Sequence, residues 1–395
     1  DSLLAYNSEN GNFKPLPFGF TRASSATVVN KDGLIETVGS GEPRIDFKDD
    51  AKGALLLEPN SSNKIPFSED INNSAWSKLN VTVSANSIMS PSGLLNADLI
   101  TENTVNGQHR IIDVLTLTSG VAHTISAFIK PNGSKFARLR LENAAIGSGQ
   151  INVFFDLENG VVSSGNGSIE EYPNGWYRLK GFGTTSGATN VIYVALANAD
   201  GAISYQGDGV SGAYVWGAQV EQGSYATSYI PTQGSAVTRV TVNCNNGGNE
   251  QVINSTEGVL YAEISALSNS GNTYRLIGLN NGSGTNTNRI FIGYTNNNAI
   301  YATINATTIA FTVSSFDVKN FNKVAVVYNG SIAKLFINGS EVGSGITNAP
   351  TLSGLSRVDF SGSSTGANEF KGNTKDVRVY NTALTDTELQ ALTRI

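Results

Sequence analysis

Apolar and polar positions alternate with a period of two along most of the chain, while apolar positions at helical spacing are scarce. The alternation is clearest in "HTISAFI" (123–129), "KFARLRLEN" (135–143), "NVIYVALA" (190–197) and "RIFIGY" (289–294). Asn-Gly pairs at Asn132, Asn159, Asn166, Asn174, Asn281, Asn329 and Asn338 punctuate the runs. That dipeptide tolerates positive φ at both centres of a two-residue hairpin turn. The pattern predicts an all-β chain of antiparallel β-sandwich (jelly-roll) domains in series. In "NKVAVVYNGSIAKLFINGSEV" (322–342) it places Val324, Val326 and Tyr328 on one face and Ala325 and Val327 on the other, the turns fixing the register.

One helix signal interrupts this pattern. In "TALTDTELQALTRI" Thr385 and Glu388 stand at the two positions of a capping box, and Leu384 and Leu389 at those of a hydrophobic staple. A single short C-terminal helix is therefore predicted after the strand "KDVRVY", as a clamp on a sheet. Texture divides the chain in three. Residues 1–66 form an irregular β segment with too few strands for a core of its own, expected to pack on the next domain. Residues 67–235 hold the densest alternation and close on "SYIPTQGSAVTR", where Pro231 and the small polar residues after it suggest a linker. Residues 236–395 form the last domain.

Composition narrows the chemistry. The chain has 395 residues, 39% of them hydrophobic, enough for more than one core. Its net charge of -6 comes without a basic block, which argues against nucleic acid as a partner. No apolar run approaches the ~20 residues of a membrane helix, and "DSLLAYNSENGNF" lacks the features of a signal sequence; a soluble chain without membrane insertion is expected. Cys244 is the only cysteine and His109 and His123 the only histidines. Intrachain disulfides and Cys/His zinc sites are thereby excluded, the same scarcity argues against nucleophile–histidine relays, and both histidines are assigned structural roles. Asn132, Asn281, Asn329 and Asn338 also fit the glycosylation sequon, but turns need Asn, Gly and Ser in any case.

Two stretches carry a family resemblance. "NKVAVVYNGSIAKLFINGSEV" followed by "FKGNTKDVRVYNTALTDTELQAL" resembles the laminin-G, or concanavalin A-like, jelly roll. Gly372, Asp376, Val377, Arg378, Tyr380, Asn381, Leu384, Thr385 and Glu388 match its C-terminal motif, while Thr374 departs from a position that is more often apolar. The middle segment, through "VFFDLENGVV", "NGWYRLKGFG" and "GDGVSGAYVWGAQVEQGSYATSYIPTQGSAVTR", resembles the carbohydrate-binding-module-like jelly roll of bacteriophage virion proteins. "FTRASSATVVNKDGLIETV", "PRIDF" and "LLLEPNSSNKIPFSEDINNSAW" are similar to passages of phage tail fibre, head fibre and spike proteins.

The resemblance implies a non-catalytic phage protein on the virion surface that recognises host cell-surface glycans. A structural decoration or tail/capsid scaffold role and a polysaccharide depolymerase are the alternatives. The implied partners are a host surface polysaccharide or glycoconjugate, other virion proteins and further copies of the chain, a trimer among the plausible homo-oligomers. Sugar sites combine aromatic faces with amides and charged groups, and the adjacent loops "YTNNNAIYATIN" and "LNNGSGTNTNR" supply both. The candidate glycan-binding residues are Tyr274, Arg275, Asn296, Asn298 and Tyr301. Trp176 and Trp216 lie in patterned strands and are assigned to the core, and the resemblance packs Trp76 against the edge of the jelly roll.

No cofactor is required. Both jelly-roll families often hold structural calcium, which takes oxygen ligands. Glu69, Asp70, Gln219 and Glu221 are the candidate ligands, meeting if the first and last strands of the middle domain pair. No catalytic residue is assigned. Retaining enzymes of the concanavalin A-like group carry a Glu-x-Asp-x-(x)-Glu strand, with carboxylates on one face of a period-two strand. "DLE" at 156–158, the nearest run, passes straight into a turn.

Overall fold

The computed structural model describes residues 3–7, 12–15, 18–147, 149–199, 201–269, 273–285, 287–305, 309–362 and 368–395. Among them strands dominate, and the only α-helix is Asp386–Thr393. The chain is all-β, built from antiparallel sandwiches in series. The first sandwich pairs two six-stranded sheets. One runs in the order Val81–Met89, Leu95–Glu102, Gly212–Gln222, Ala122–Asn132, Trp176–Thr184, Gly167–Tyr172. The other runs Val161–Ser164, Gly149–Asp156, Phe136–Asn143, Thr189–Ala197, Arg110–Thr116, Ser77–Leu79. Alternate residues of both, among them Ile125, Leu139, Val153, Leu179 and Val194, meet in one core.

The second sandwich sets a five-stranded sheet against a larger one. The smaller runs Ile309–Val313, Ile300–Ile304, Arg289–Tyr294, Arg275–Asn280, Arg357–Asp359. The larger includes Gly372–Tyr380, Gly258–Ala266, Asn322–Tyr328, Ile332–Ile337 and Ser340–Thr347 in that order. Val324, Val326 and Tyr328 face the core between the sheets. Ala325 and Val327 face the opposite way and are buried too, because Leu384, Leu389 and Leu392 around the terminal helix cover them. The capping box forms, Thr385 accepting from the Glu388 amide while the Glu388 carboxylate accepts from the Thr385 amide at 2.8 Å.

The Asn-Gly turns named above divide into two kinds. At Asn174–Gly175 and Asn338–Gly339 both residues have positive φ, 62° and 74° in the first pair and 50° and 88° in the second. In the other pairs the asparagine keeps negative φ. At Asn329 the side chain closes the turn by hydrogen bonding: Oδ1 accepts from the amides of Ser331 at 3.2 Å and Ile332 at 2.9 Å.

The first 66 residues reach both sandwiches. Ala54–Leu57 pairs antiparallel with Gly372–Tyr380, and Leu3–Asn7 pairs parallel with the same strand further along. Gly19–Thr21 pairs with Asn243–Asn245, and Ser61–Asn63 with Val237–Arg239. The stretch around Pro231 is correspondingly no loose linker. The Thr232 amide donates to Ser68 Oγ at 2.9 Å, Asn63 Nδ2 donates to Ile230 O at 2.9 Å, and the Gly234 amide donates to Pro66 O at 2.7 Å. Thr232 and the Gly234 backbone, in a stretch whose composition suggests flexibility, are held by hydrogen bonds to residues 63–68.

Glu58 lies at the centre of that seam. Its carboxylate pairs with Arg44 at 2.6 Å and Arg239 at 3.0 Å, and accepts from the Ser228 amide and hydroxyl, both at 2.7 Å. Arg239 also donates to Pro59 O at 2.8 Å and to Thr227 Oγ1 at 3.1 Å. Burial pushes the Glu58 carboxyl up, but the Arg239 and Arg44 charges and the Ser228 donors overcome it and hold it at about 2. A carboxyl held below its ordinary 4.5 contributes stability that is complete above that value and is lost as pH falls towards about 2. Glu58→Gln removes the charge opposite two buried guanidiniums and is expected to cost about 3 to 5 kcal/mol. Urea unfolding of the two proteins from pH 7 down to 2 checks this: the gap should narrow below pH ~4.5, and a constant gap would contradict the assignment.

Candidate functional site

The aromatic side chains of the first sandwich are the obvious place to look for a sugar platform. On the face of the Gly212–Gln222 sheet turned away from the core, Phe128, Tyr172, Trp176, Trp216 and Tyr229 form one cluster. Trp216 and Tyr229 lie 4.6 Å apart between centroids, and Phe128 meets Tyr172 edge-on at 5.0 Å. The cluster is closed. The hairpin Ala26–Val29 and Ile35–Val38 crosses it, burying Val29 and Ile35 against the rings. Its tip is fitted to the sandwich: Gly33 has φ 76°, and a Cβ there would fall 2.5 Å from the Pro173 ring. Trp76 belongs to the neighbouring core and donates from Nε1 to Phe67 O at 2.9 Å. All three tryptophans are 1% exposed, so none offers a face to a ligand.

Tyr274, Arg275, Asn296, Asn298 and Tyr301 gather at one end of the five-stranded sheet. Cross-strand register places Arg275 opposite Tyr294, and Tyr301 opposite Gly293. Gly293, which bears no side chain, lies between Tyr301 and Leu276 in the sheet. The Tyr301 ring meets Tyr274 at 5.2 Å with an interplanar angle of 69°, and both are half-buried. Asn298 turns the Tyr294–Ile300 hairpin at φ 59°, the left-handed conformation asparagine tolerates best after glycine. Its Oδ1 accepts from Arg275 Nη2 at 2.8 Å and its Nδ2 donates to Asn269 O. Arg275 also donates from Nη1 to Ser268 O at 3.2 Å and stacks 5.2 Å from the Tyr294 ring. Burial lowers the Arg275 pKa. Arg275 and Asn298 thus shape the corner, and Tyr274, Tyr301 and the exposed Asn296 are its accessible groups.

Ser268 and Asn269, which accept from Arg275 and Asn298, also line a cleft of about 770 Å³ where the first 66 residues, the 225–229 stretch and both sandwiches meet. Its volume suits a small ligand, and its wall carries an ion-pair chain that sequence patterning did not single out. Glu170 bridges Lys48, at 2.6 Å, and Lys180. Burial opposes the Glu170 charge, but Lys180, Lys48 and Arg178 hold the carboxyl at about 2. Burial likewise brings Lys180 down to about 8 against the pull of Glu170. The Asn174 turn pairs Gly167–Tyr172 with Trp176–Thr184 and sets Glu170 opposite Arg178, a register readable from the Asn-Gly signal. Nothing local signals Lys48.

The four candidate calcium ligands do not fit a calcium ion. Glu221 accepts from Ser61 Oγ at 2.5 Å, Gln219 Nε2 at 2.7 Å and the Thr227 amide and hydroxyl at 2.9 and 2.6 Å, while Gln219 Oε1 accepts from the Ile230 amide at 2.8 Å. Glu69 accepts from Asn96 and Tyr229, and Asp70 from Asn73. The Glu221 and Gln219 oxygens, surrounded by N–H and O–H donors, are satisfied without a cation, whereas Asp70 is exposed. Among the described residues no group of three or more His, Cys, Asp and Glu has the arrangement of a metal site. His109 and His123 are buried in backbone contacts with Asn80 O and Val121 O. Cys244 is buried and its thiol pushed up by desolvation, which leaves it a poor nucleophile.

Residues 248–390 match the laminin-G family model described as the concanavalin A-like lectin/glucanases superfamily. The second sandwich therefore has the laminin-G/concanavalin A-like lectin fold. No curated protein matches the chain. Among solved structures, the CBM40 of the Ruminococcus gnavus IT-sialidase bound to α2,3 sialyllactose is 19% identical, spans 38% of this chain and 93% of its own, and has a TM-score of 0.31. A putative carbohydrate binding protein from Bacteroides ovatus is 11% identical over 73% of this chain and 80% of its own, with a TM-score of 0.29. Trypanosoma rangeli sialidase in complex with the inhibitor DANA is 10% identical over 98% and 96%, with a TM-score of 0.31. Likeness at these scores does not bear on what this chain binds.

Ile35→Asp places a charge under the hairpin that closes the aromatic cluster. It is expected to lower stability by about 2 to 4 kcal/mol and shift tryptophan emission to the red. Unchanged emission and stability would contradict the closed platform.

Proposed function

We propose that this chain is a non-catalytic glycan-binding protein of a bacteriophage particle surface, using the Tyr274–Tyr301 corner of its second sandwich to recognise host cell-surface polysaccharide or glycoconjugate. The observation that carries the reading is the convergence at this corner of two half-buried rings at 5.2 Å and the exposed Asn296, on a loop held in place by Arg275 and Asn298. A pyranose packs its C–H face on one ring while amides fix its hydroxyls. The lectin-type family match over residues 248–390 supports a sugar ligand. The phage assignment rests on "FTRASSATVVNKDGLIETV" and on the middle-segment motifs described above.

A corner of this size makes a weak individual site, useful when copies are arrayed so that binding events reinforce one another. A homo-oligomer, with a trimer as one such form, anchored to other virion proteins follows from that requirement. Of the carboxylates on the cleft wall, Glu170 lacks the protonation a general acid needs. Glu170 is held ionised between two lysines, whereas a glycosidase general acid must keep its proton near neutral pH.

The test is a glycan array of bacterial surface polysaccharides, with polymer length followed in the same samples. The chain should bind without shortening the polymer, and Tyr274→Ala and Tyr301→Ala should each weaken binding about tenfold while leaving the melting temperature within about 4 °C. Shortening of the polymer would establish a depolymerase. Absence of binding, or binding untouched by the paired substitution, would favour the scaffold role.

A further inference from the structure

The outer face of the other six-stranded sheet of the first sandwich carries a second cluster, remote in sequence from the Tyr274–Tyr301 corner. Leu139, Leu141, Val194, Leu196, Ile151 and Val153 point into the core, so their alternates Arg138, Arg140, Tyr193, Ala195, Asn152 and Phe154 point outward. Register aligns them in two rows. Phe154, Arg138, Ala195 and Arg110 stand side by side on four adjacent strands, and Asn152, Arg140, Tyr193 and Ile112 form the next row. The Tyr193 ring lies between two guanidiniums, Arg110 at 4.5 Å and Arg140 at 5.4 Å, while Arg138 lies 5.3 Å from Phe154.

Charge on this face is unbalanced. Glu142 pairs with Arg140 and accepts from the Tyr193 hydroxyl. Asp156, further along, turns to its own loop, accepting from the Glu158 and Asn159 amides at 3.0 Å. Neither forms an ion pair with Arg110 or Arg138. Arg110 donates to Gln108. Arg138 is 6% exposed and donates from Nε to Asn152 at 2.7 Å, yet among the described residues no acceptor takes the protons of its Nη1 and Nη2. Burial lowers the Arg138 pKa to about 10, and Arg140 and Arg110 push the same way. Three neighbouring guanidiniums repel one another, and a bound anion would relieve that repulsion.

We propose that this face binds the anionic groups, carboxylate or sulfate, of an acidic polysaccharide. The guanidinium of Arg138 presents two parallel N–H donors in the geometry that engages two oxygens of one anion. Ala195 leaves a low point between Arg138 and Arg110, whose Cα atoms lie two strand spacings apart, about 10 Å. Phe154, 6% exposed, backs the Arg138 guanidinium, and the exposed Asn152 and half-buried Gln108 are amide partners for hydroxyls. The face is independent of the second sandwich and of the neutral stacking proposed there.

Affinity electrophoresis of the full chain in gels containing polygalacturonate, dextran sulfate, neutral dextran or single-stranded DNA tests the proposal at about 150 mM salt, where long-range attraction is screened. Retardation by polygalacturonate or by dextran sulfate, but not by neutral dextran, is expected, and the stronger of the two identifies the anion. Arg138→Gln and Arg110→Gln should each weaken retention about tenfold, Arg138→Lys should restore only part of it, and Tyr274→Ala should leave it unchanged. Should Arg138→Gln fail to fold, Arg110→Gln alone carries the test. No retardation by either acidic polymer, retention unaffected by Arg110→Gln, or stronger retention by DNA would overturn the proposal. Loss through Tyr274→Ala would move the acidic-polymer site to the second sandwich.

Discussion

The buried carboxylate of Glu58 holds the two halves of the molecule in one arrangement. It binds Arg44 from the N-terminal segment, Ser228 from the end of the first sandwich and Arg239 from the start of the second unit. Three buried charges are costly to desolvate and contribute only when each finds its partner. An ion pair of this kind therefore selects one geometry more than it adds stability. Around it Ser61–Asn63 and Val237–Arg239 pair as strands, so that two passages about 175 residues apart in the chain form one continuous seam. They are also the passages, "LLLEPNSSN" and "SYIPTQGSAVTR", whose sequences stand out from the alternating background. Their irregularity has a physical cause: they are patterned for a polar seam, not for a sheet face.

That seam determines which surfaces remain open. By holding residues 18–66 across the first sandwich, it lays Val29 and Ile35 over Trp176, Trp216 and Tyr229 and removes the largest aromatic surface from contact with solvent. The surfaces proposed for recognition, the Tyr274–Tyr301 corner and the arginine face around Arg138, lie outside that aromatic cluster. In the cleft beside the corner, Glu170 is already engaged by Lys48 and Lys180.

Much of the architecture was legible in the sequence because strands declare themselves locally. Period-two runs such as "KFARLRLEN" and "RIFIGY" became strands Phe136–Asn143 and Arg289–Tyr294, and Thr385 with Glu388 formed the capping box expected of them. The Asn-Gly pairs marked turns but not their type, since an asparagine side chain closes a turn as well as a left-handed backbone does. The corner was half legible: turn composition brought out its five residues, yet Arg275 and Asn298 turned inward to each other. The calcium reading drew on acidic residues at meeting strand ends, where Glu221 is held by N–H and O–H donors. The chain of Lys48, Glu170 and Lys180 and the row of Phe154, Arg138 and Arg110 were hidden, since each depends on register between strands distant in sequence.

The central claim is that sugar recognition takes place on the exposed corner while the tryptophan-rich face stays closed. A crystal structure of the full chain soaked with the oligosaccharide it binds most tightly on the array tests this directly. The account predicts saccharide density against Tyr274 and Tyr301, with the Ala26–Val38 hairpin in place over Trp216. Saccharide stacked on Trp176 or Trp216, with that hairpin displaced, would contradict it.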